Sequence, residues 1–330
     1  MIKKFLHVGI GRCSNITLIN HIYPVIAKNS NFKFYTSDEH IQNQIDLNYE
    51  KMKLGLDINK NININENLIV SDERLVGWNP FNWVKYADSN LKMFGYETTV
   101  LIVLRDPFDY LNSIYKNQCL VNGNLMTAEE YFALNKTYRV DDKQIFNLEL
   151  FSYSRLKKIY EERFRDVIFL DYNQIKKMNF FQEYFNLNNE VKEELIDLYI
   201  NSKPNKSFNS EIANNLTLKL YSILKKISLI FNLNVVKKKF KHLKILSNKK
   251  KIKNNLMLEL SIMQIDRMNQ NDIKFNFYRS FINMIKWQNL MFLIEDIFCP
   301  KKKYKIQLSE IKKNIIIEKC RKEYLNIISK

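Results

Sequence analysis

Five short apolar runs, at residues 5–9, 32–35, 68–71, 100–104 and 167–170, alternate with helical patterns and then stop. Few architectures accept that order. Runs of four or five residues are too short for helices and lack the polar alternation of a strand wetted on one side. Each therefore predicts a strand covered on both faces. The stretches between them, 17–27, 81–93, 110–118 and 148–163, repeat apolar residues at helical spacing. Strand and helix in alternation predict a doubly wound α/β fold, a central parallel sheet with right-handed crossover helices. After Asp171 the strands end, and residues 190–330 read as helices, including 216–231 and 284–297, joined by Lys- and Asn-rich connections.

Sheets of this kind bind ligands outside the carboxyl ends of their strands. Here those ends are polar or carry glycine. The first run ends in Gly9-Ile10-Gly11-Arg12-Cys13-Ser14-Asn15, and the third in Ser71-Asp72-Glu73-Arg74. The fourth ends in Arg105-Asp106-Pro107 and the fifth in Asp171-Tyr172. A strand, a glycine-bearing loop with a basic residue, and a helix N-terminus make an anion cradle, because backbone N–H groups and the helix dipole converge there. Arg12 supplies the charge, and Ser14 or Thr17 a hydroxyl; an ordinary strand–helix turn has the same outline. No Lys-Ser/Thr pair follows a second glycine, which speaks against a Mg²⁺-dependent kinase or NTPase. Arg105 ends its strand and Ser113 follows eight residues later on the next helix, a spacing suited to a second anionic group.

A hydrophobic content of 46% with 13% aromatics excludes global disorder. The formal charge of +17 is uneven: twelve lysines lie from Lys219 to Lys253, and no acidic residue stands between Glu211 and Glu259. Such a segment predicts an anionic partner, among them membrane headgroups, an acidic glycan or nucleic acid, or else a solvated helix face. The widely spaced Cys13, Cys119, Cys299 and Cys320 match no zinc or CxxC pattern and read as reduced thiols. With no signal-peptide pattern and no apolar run near the ~18–20 residues of a membrane span, the expected location is cytoplasmic, with membrane-surface association through the basic segment. His7 reads as a core histidine, and no cluster suggests a metal site.

Taken in order, these elements resemble the sulfotransferases that use 3′-phosphoadenosine 5′-phosphosulfate (PAPS). Their first loop has the form GxxK/R-S/C-G-T-T-x-L, and here the stretch is Gly9 to Leu18, GIGRCSNITL. Their second signature is a strand ending in arginine with a serine eight residues on, matched by Arg105 and Ser113. The segment Leu68 to Glu73 looks like the one that presents a catalytic glutamate in carbohydrate-type members. Val167 to Tyr172 followed by Gln174-Ile175, then Pro204-Asn205-Lys206-Ser207, continue the order. The resemblance covers residues 1–210 and implies a P-loop-like three-layer α/β/α core there. Residues 211–330 are left as a basic helical region packed on that core.

The resemblance also implies roles. Gly11, Arg12, Cys13, Ser14, Asn15, Ile16 and Thr17 would hold the phosphosulfate, and Arg105 and Ser113 the 3′-phosphate. Glu73 would be the general base, Arg12 would steady the leaving nucleotide, and no metal is involved. Strand alternation turns only one of Asp72 and Glu73 into the cleft; the resemblance favours Glu73 as base and leaves Asp72 on the substrate side. Trp78, with Phe81 and Trp83, offers aromatic faces to a sugar ring or to the core. The implied acceptor is a hydroxyl of a glycan or glycolipid, and nucleic acid is not the expected partner.

The chain departs from the family at Ser14-Asn15-Ile16, where members carry Gly-Thr-Thr or Ala-Ser-Thr. Ile16 removes a hydroxyl that would face the phosphosulfate, and Ser14 adds a side chain where backbone should approach closely. Thr17 restores one donor. Arg12, where many members have lysine, keeps the charge and gains bidentate geometry. Two other classes stay open: a nucleotide- or nucleic-acid-binding protein without catalysis, and a small-molecule kinase.

Overall fold

The structure, a computed structural model, describes residues 2–53, 58, 62, 64–77, 79–117, 127–134, 145–202, 306 and 308–329. Trp78, Cys119, Cys299, the segment 204–207, the lysine-rich stretch from Lys219 to Lys253 and the helical patterns at 216–231 and 284–297 lie outside these residues. The contacts divide the chain into two units, Met1–Leu111 with Phe132–Asn205 and Leu308–Lys330, and Asn112–Tyr131 with Lys206–Gln307. The first gathers residues 308–330, which the sequence boundary at 210 had assigned elsewhere.

The first unit is α/β. Its sheet holds β1 (Lys4–Val8), β2 (Lys33–Phe34), β3 (Leu68–Asp72), β4 (Thr99–Leu104) and β7 (Asp166–Asp171), in the order β2-β3-β1-β4-β7, with every pairing parallel. Each strand falls within one residue of its apolar run. β3 and β4 are buried along their whole length, as unbroken apolar runs require, while β7 at the edge is half-exposed. A separate two-residue parallel pair, β5 (Phe132–Ala133) with β6 (Phe146–Asn147), was not foreseen.

The connection leaving β1 runs toward β2 on one side, and the one leaving β4 runs toward β7 on the other. The carboxyl ends of the neighbours β1 and β4 are therefore where the winding diverges, and there an open α/β sheet forms its crevice.

Helix α1 spans residues 15–28, an α-turn (Asn15–Thr17), a π-type stretch (Leu18–Ile22) and an α-helix (Tyr23–Lys28). Pro24 explains the middle. It has no N–H for the ladder and its ring crowds the carbonyl four residues back, so the helix widens ahead of it and Tyr23 N–H reaches Leu18 O. Helix α2 (Glu39–Lys53) is capped by Asp38, which accepts from the N–H of His40 and Ile41 at 3.0 and 3.1 Å. α3 (Trp83–Phe94), α4 (Pro107–Tyr115), the short α5 (Ala128–Tyr131), α6 (Tyr153–Glu161), α7 (Asn179–Phe185) and α8 (Asn189–Asn201) follow. The last, α9, covers residues 310–328.

Two aromatic groups make up much of the core. Phe5 of β1 meets Tyr23 of α1 and Tyr184 and Phe185 of α7, with ring centroids 4.9–6.2 Å apart. Phe151 stacks on Tyr110 and meets Trp83, Phe146 and Tyr153. Trp83 is fully buried with the Arg155 guanidinium over its ring, so it serves the core and not a sugar. In the second unit α5 opens on a reciprocal cap: Thr127 Oγ1 accepts from Glu130 N–H, and Glu130 Oε2 accepts from Thr127 N–H.

α9 returns to the sheet. Tyr324 donates to buried Asp171 at 2.5 Å, Arg321 pairs with Asp106 at 3.2 Å, and Glu323 accepts from Ser152 Oγ at the start of α6. Asp106 and Asp171 stand at the carboxyl ends of β4 and β7, so this helix packs against the ends of those two strands.

Candidate functional site

The loop after β1 is bent against its residues' preferences. Arg12 and Ser14 both lie in the left-handed region, at φ 72° and 62°, a conformation that costs a non-glycine residue energy and clusters at ligand sites. Asn15 holds the bend. Its buried side chain donates to Ile10 O at 3.0 Å and lies over Gly9, where an added Cβ would come within 2.7 Å of it. Asn15 Oδ1 is buried with no partner among the described residues.

Ser14 occupies the N-cap of α1 but does not cap it. Its hydroxyl lies 2.6 Å from Tyr199 OH on α8, and Thr17 Oγ1 lies 3.4 Å from Ser202 Oγ. The first-turn N–H groups of α1, which no helix satisfies internally, are thus left without the usual serine acceptor. Ile16 is half-exposed on the helix surface, and Gly11 is buried within the turn.

The loop after β4 is regular. Asp106 Oδ1 accepts from Phe108 N–H at 3.0 Å, and Pro107 opens α4. Arg105 is held on three sides. Its guanidinium lies 5.0 Å from the centre of the Tyr172 ring, it donates to Arg12 O at 3.4 Å, and its carbonyl accepts from Tyr153 OH at 2.8 Å.

Arg12, Arg105 and Glu73 come together. Burial, and then the neighbouring Arg105 charge, lower the Arg12 pKa, while Glu73 acts in the opposite direction. Two arginines within charge range of each other at adjoining strand ends make a donor set that fits a multiply charged anion. Cys13 lies between the two arginines in sequence and charge, yet burial pushes its thiol up to about 12, so it stays protonated and offers no nucleophile.

Asp72 and Glu73 have separate places. Asp72 caps the 3₁₀ turn Glu73–Leu75, accepting from Arg74 N–H at 2.8 Å and from its guanidinium at 2.5–3.0 Å. Arg74 also pairs with Asp46 and lies over the Tyr49 ring. Asp72 is thus built into the turn, and half-buried Glu73 is the carboxylate within electrostatic reach of Arg12. Ser113 lies half-buried on α4, and the boundary between the units falls after Leu111 and assigns it to the second unit.

Tyr172 was named from sequence at the end of the fifth run but given no role, and its ring proves to lie against Arg105. Tyr199 was not singled out, because α8 carries no signal that it reaches the first loop. Among the described residues no group of three or more His, Cys, Asp or Glu could hold a metal ion, and no helix is long and apolar enough to cross a membrane. No family model, curated protein or solved structure matches the chain.

Proposed function

We propose that this chain is a PAPS-dependent sulfotransferase on a P-loop-like three-layer core, transferring a sulfuryl group to a hydroxyl of a glycan or glycolipid. The observation that carries the reading is the meeting of Arg12 and Arg105 beside Glu73 at the diverging ends of β1 and β4. The acceptor class rests on the likeness of the segment from Ser71 to Glu73 to carbohydrate-type members. A cytoplasmic location rests on the unpaired thiols of Cys13 and Cys320, and contact with an anionic membrane surface on the lysines from Lys219 to Lys253.

PAPS supplies the sulfuryl group, which passes in line from the 5′-phosphate oxygen to the acceptor oxygen. Arg12 and the first turn of α1 balance the charge left on that phosphate. Glu73 takes the acceptor's proton, a contribution of about 10²–10⁴-fold. Arg105, fixed by Tyr153 and Tyr172, grips the 3′-phosphate.

Calorimetry with adenosine 3′,5′-bisphosphate tests the reading. Arg12→Ala and Arg105→Ala should each weaken binding by about 100-fold, the loss of two charge-assisted hydrogen bonds. Glu73→Gln should bind normally and lose transfer. Wild-type affinity in both arginine variants would end the nucleotide assignment. Binding without turnover is the second reading, favoured by the engagement of Ser14 and Thr17 with α8. A wild-type protein that binds the bisphosphate but transfers nothing from PAPS to any glycan would establish it.

A further inference from the structure

We propose that α9 keeps Arg105 available to an anion by holding the two aspartates beside it, with Tyr324 as the positioning residue. The inference rests on the anion-binding reading of Arg105.

Arg105 is a half-buried guanidinium packed on the Tyr172 ring, and it makes no ion pair among the described residues. Counter-charges are nonetheless close by. Asp106 follows it in the chain, and Asp171 is the register partner of Leu104, directly before it. Both carboxylates are engaged elsewhere, and α9 supplies an occupant for each. Arg321 pairs with Asp106 Oδ2 at 3.2 Å, while Asp106 Oδ1 accepts from Phe108 N–H. Tyr324 donates to Asp171 Oδ1 at 2.5 Å, while Asp171 Oδ2 accepts from Asn173 N–H at 3.1 Å. The Arg321 pair is mostly exposed and weak; the Tyr324 bond is buried and holds a charge. A buried carboxylate oxygen that loses its donor takes another where it can, and Arg105 stands at the end of the adjoining strand. An Arg105 paired with Asp171 is lost to an anion until that pair breaks.

The shape of α9 serves this contact. Its residues 315–321 are π-type, and no proline follows to account for the widening, as Pro24 does in α1. In a plain α-helix, side chains four apart drift around the axis by about 40° at each step. Wider turns take that drift back. Lys312, Ile316, Cys320 and Tyr324, each four residues after the last, are all buried, with Cys320 Sγ on Phe151 O at 3.3 Å and Tyr324 on Asp171. Tyr324 also lies against Tyr153, whose hydroxyl donates to the Arg105 carbonyl.

The test measures affinity by calorimetry for two probes, inorganic pyrophosphate and adenosine 3′,5′-bisphosphate, with thermal unfolding recorded for each variant. Tyr324→Phe keeps the ring and removes the bond to Asp171. It should weaken both probes about tenfold, as Arg105 is then unpaired in only about a tenth of the molecules. Asp171→Asn removes the competing charge and should bind as tightly as wild type, although its unfolding temperature falls. The double variant should recover wild-type affinity to within about twofold, a rescue that a purely structural role for Tyr324 does not give. Unchanged binding in Tyr324→Phe, or a double variant no tighter than Tyr324→Phe alone, would overturn the proposal. If Tyr324→Phe loses its unfolding transition, the wild-type protein still decides. Coupling is reciprocal, so saturating pyrophosphate should slow amide hydrogen exchange at residues 322–328, and unchanged exchange there would refute the inference. A wild-type protein that binds pyrophosphate as tightly as the bisphosphate sinks the nucleotide while the role of Tyr324 is still measured. One that binds neither sinks both.

Discussion

The loops that follow β1 and β4 end neighbouring strands and each deliver an arginine to the same place, yet they are built in opposite ways. After β4 every residue stands where local rules put it: an aspartate at the N-cap, a proline at the first helical position, an arginine where the strand stops. After β1 two non-glycine residues take left-handed backbone, a serine at the N-cap does not cap, and a proline interrupts the helix. The second loop is an inexpensive way to present a charge. The first stores strain, held by Asn15 over Gly9 and by α8, and strain that persists this way accompanies ligand sites.

Breaking the strained loop should have the largest effect on stability. Gly9→Ala drives a methyl into the buried Asn15 side chain, which cannot leave without losing Ile10 O. It should cost about 2–3 kcal/mol in denaturant unfolding and weaken pyrophosphate binding alongside. A normal midpoint would mean that Asn15 does not set the bend.

Acid should distinguish the two strands next. His7 of β1 is buried, its Nδ1 bonded to Ser71 Oγ at 2.7 Å and its Nε2 without a partner among the described residues, while β4 carries no titratable group. Burial lowers its pKa to about 3. The folded state therefore holds His7 neutral, while the unfolded chain takes up a proton below its ordinary value of ~6.5. Stability is full above that value and falls as the pH drops toward 3, by ~2 kcal/mol between pH 7 and 5. In His7→Gln the midpoint should fall by less over the same interval; an identical fall would exonerate His7.

On the regular side, Asp106→Ala removes a cap and an exposed ion pair to Arg321 and should cost ~1 kcal/mol, with little change in anion affinity. The smallest effect sharpens the contrast most. Ser14→Gly relieves the left-handed strain and should raise stability by ~0.5–1 kcal/mol while binding weakens. If stability and binding rise together, the strain serves no ligand.

The same contrast explains what could be read in advance. The five strands were legible because each is a bounded apolar run, and Arg105 because its loop follows rules that act over a few residues. Helix α2 also carried a usable signal that went unread, with Ile41, Ile45, Tyr49 and Met52 at helical spacing and Asp38 ahead of them. Strand order was not legible, because parallel neighbours leave no local mark. Nor was Tyr199. On α8 it sits beside the apolar positions Val191, Leu195 and Leu198, and only tertiary contact brings it to Ser14, 185 residues away in sequence. Asp72 and Glu73 could be separated only when Arg74 was seen to bind the first.

The return of α9 bears on the order of assembly. Its contacts with Asp171 and Ser152 join residues 153 and 171 positions apart. Closing so long a loop is slow in comparison with forming adjacent βα units, because its entropy cost precedes any contact that offsets it. During synthesis, then, the sheet and both arginine-bearing loops emerge well before the helix that packs on the ends of β4 and β7. The nascent protein has its cationic crevice in place before Tyr324 arrives to bind Asp171.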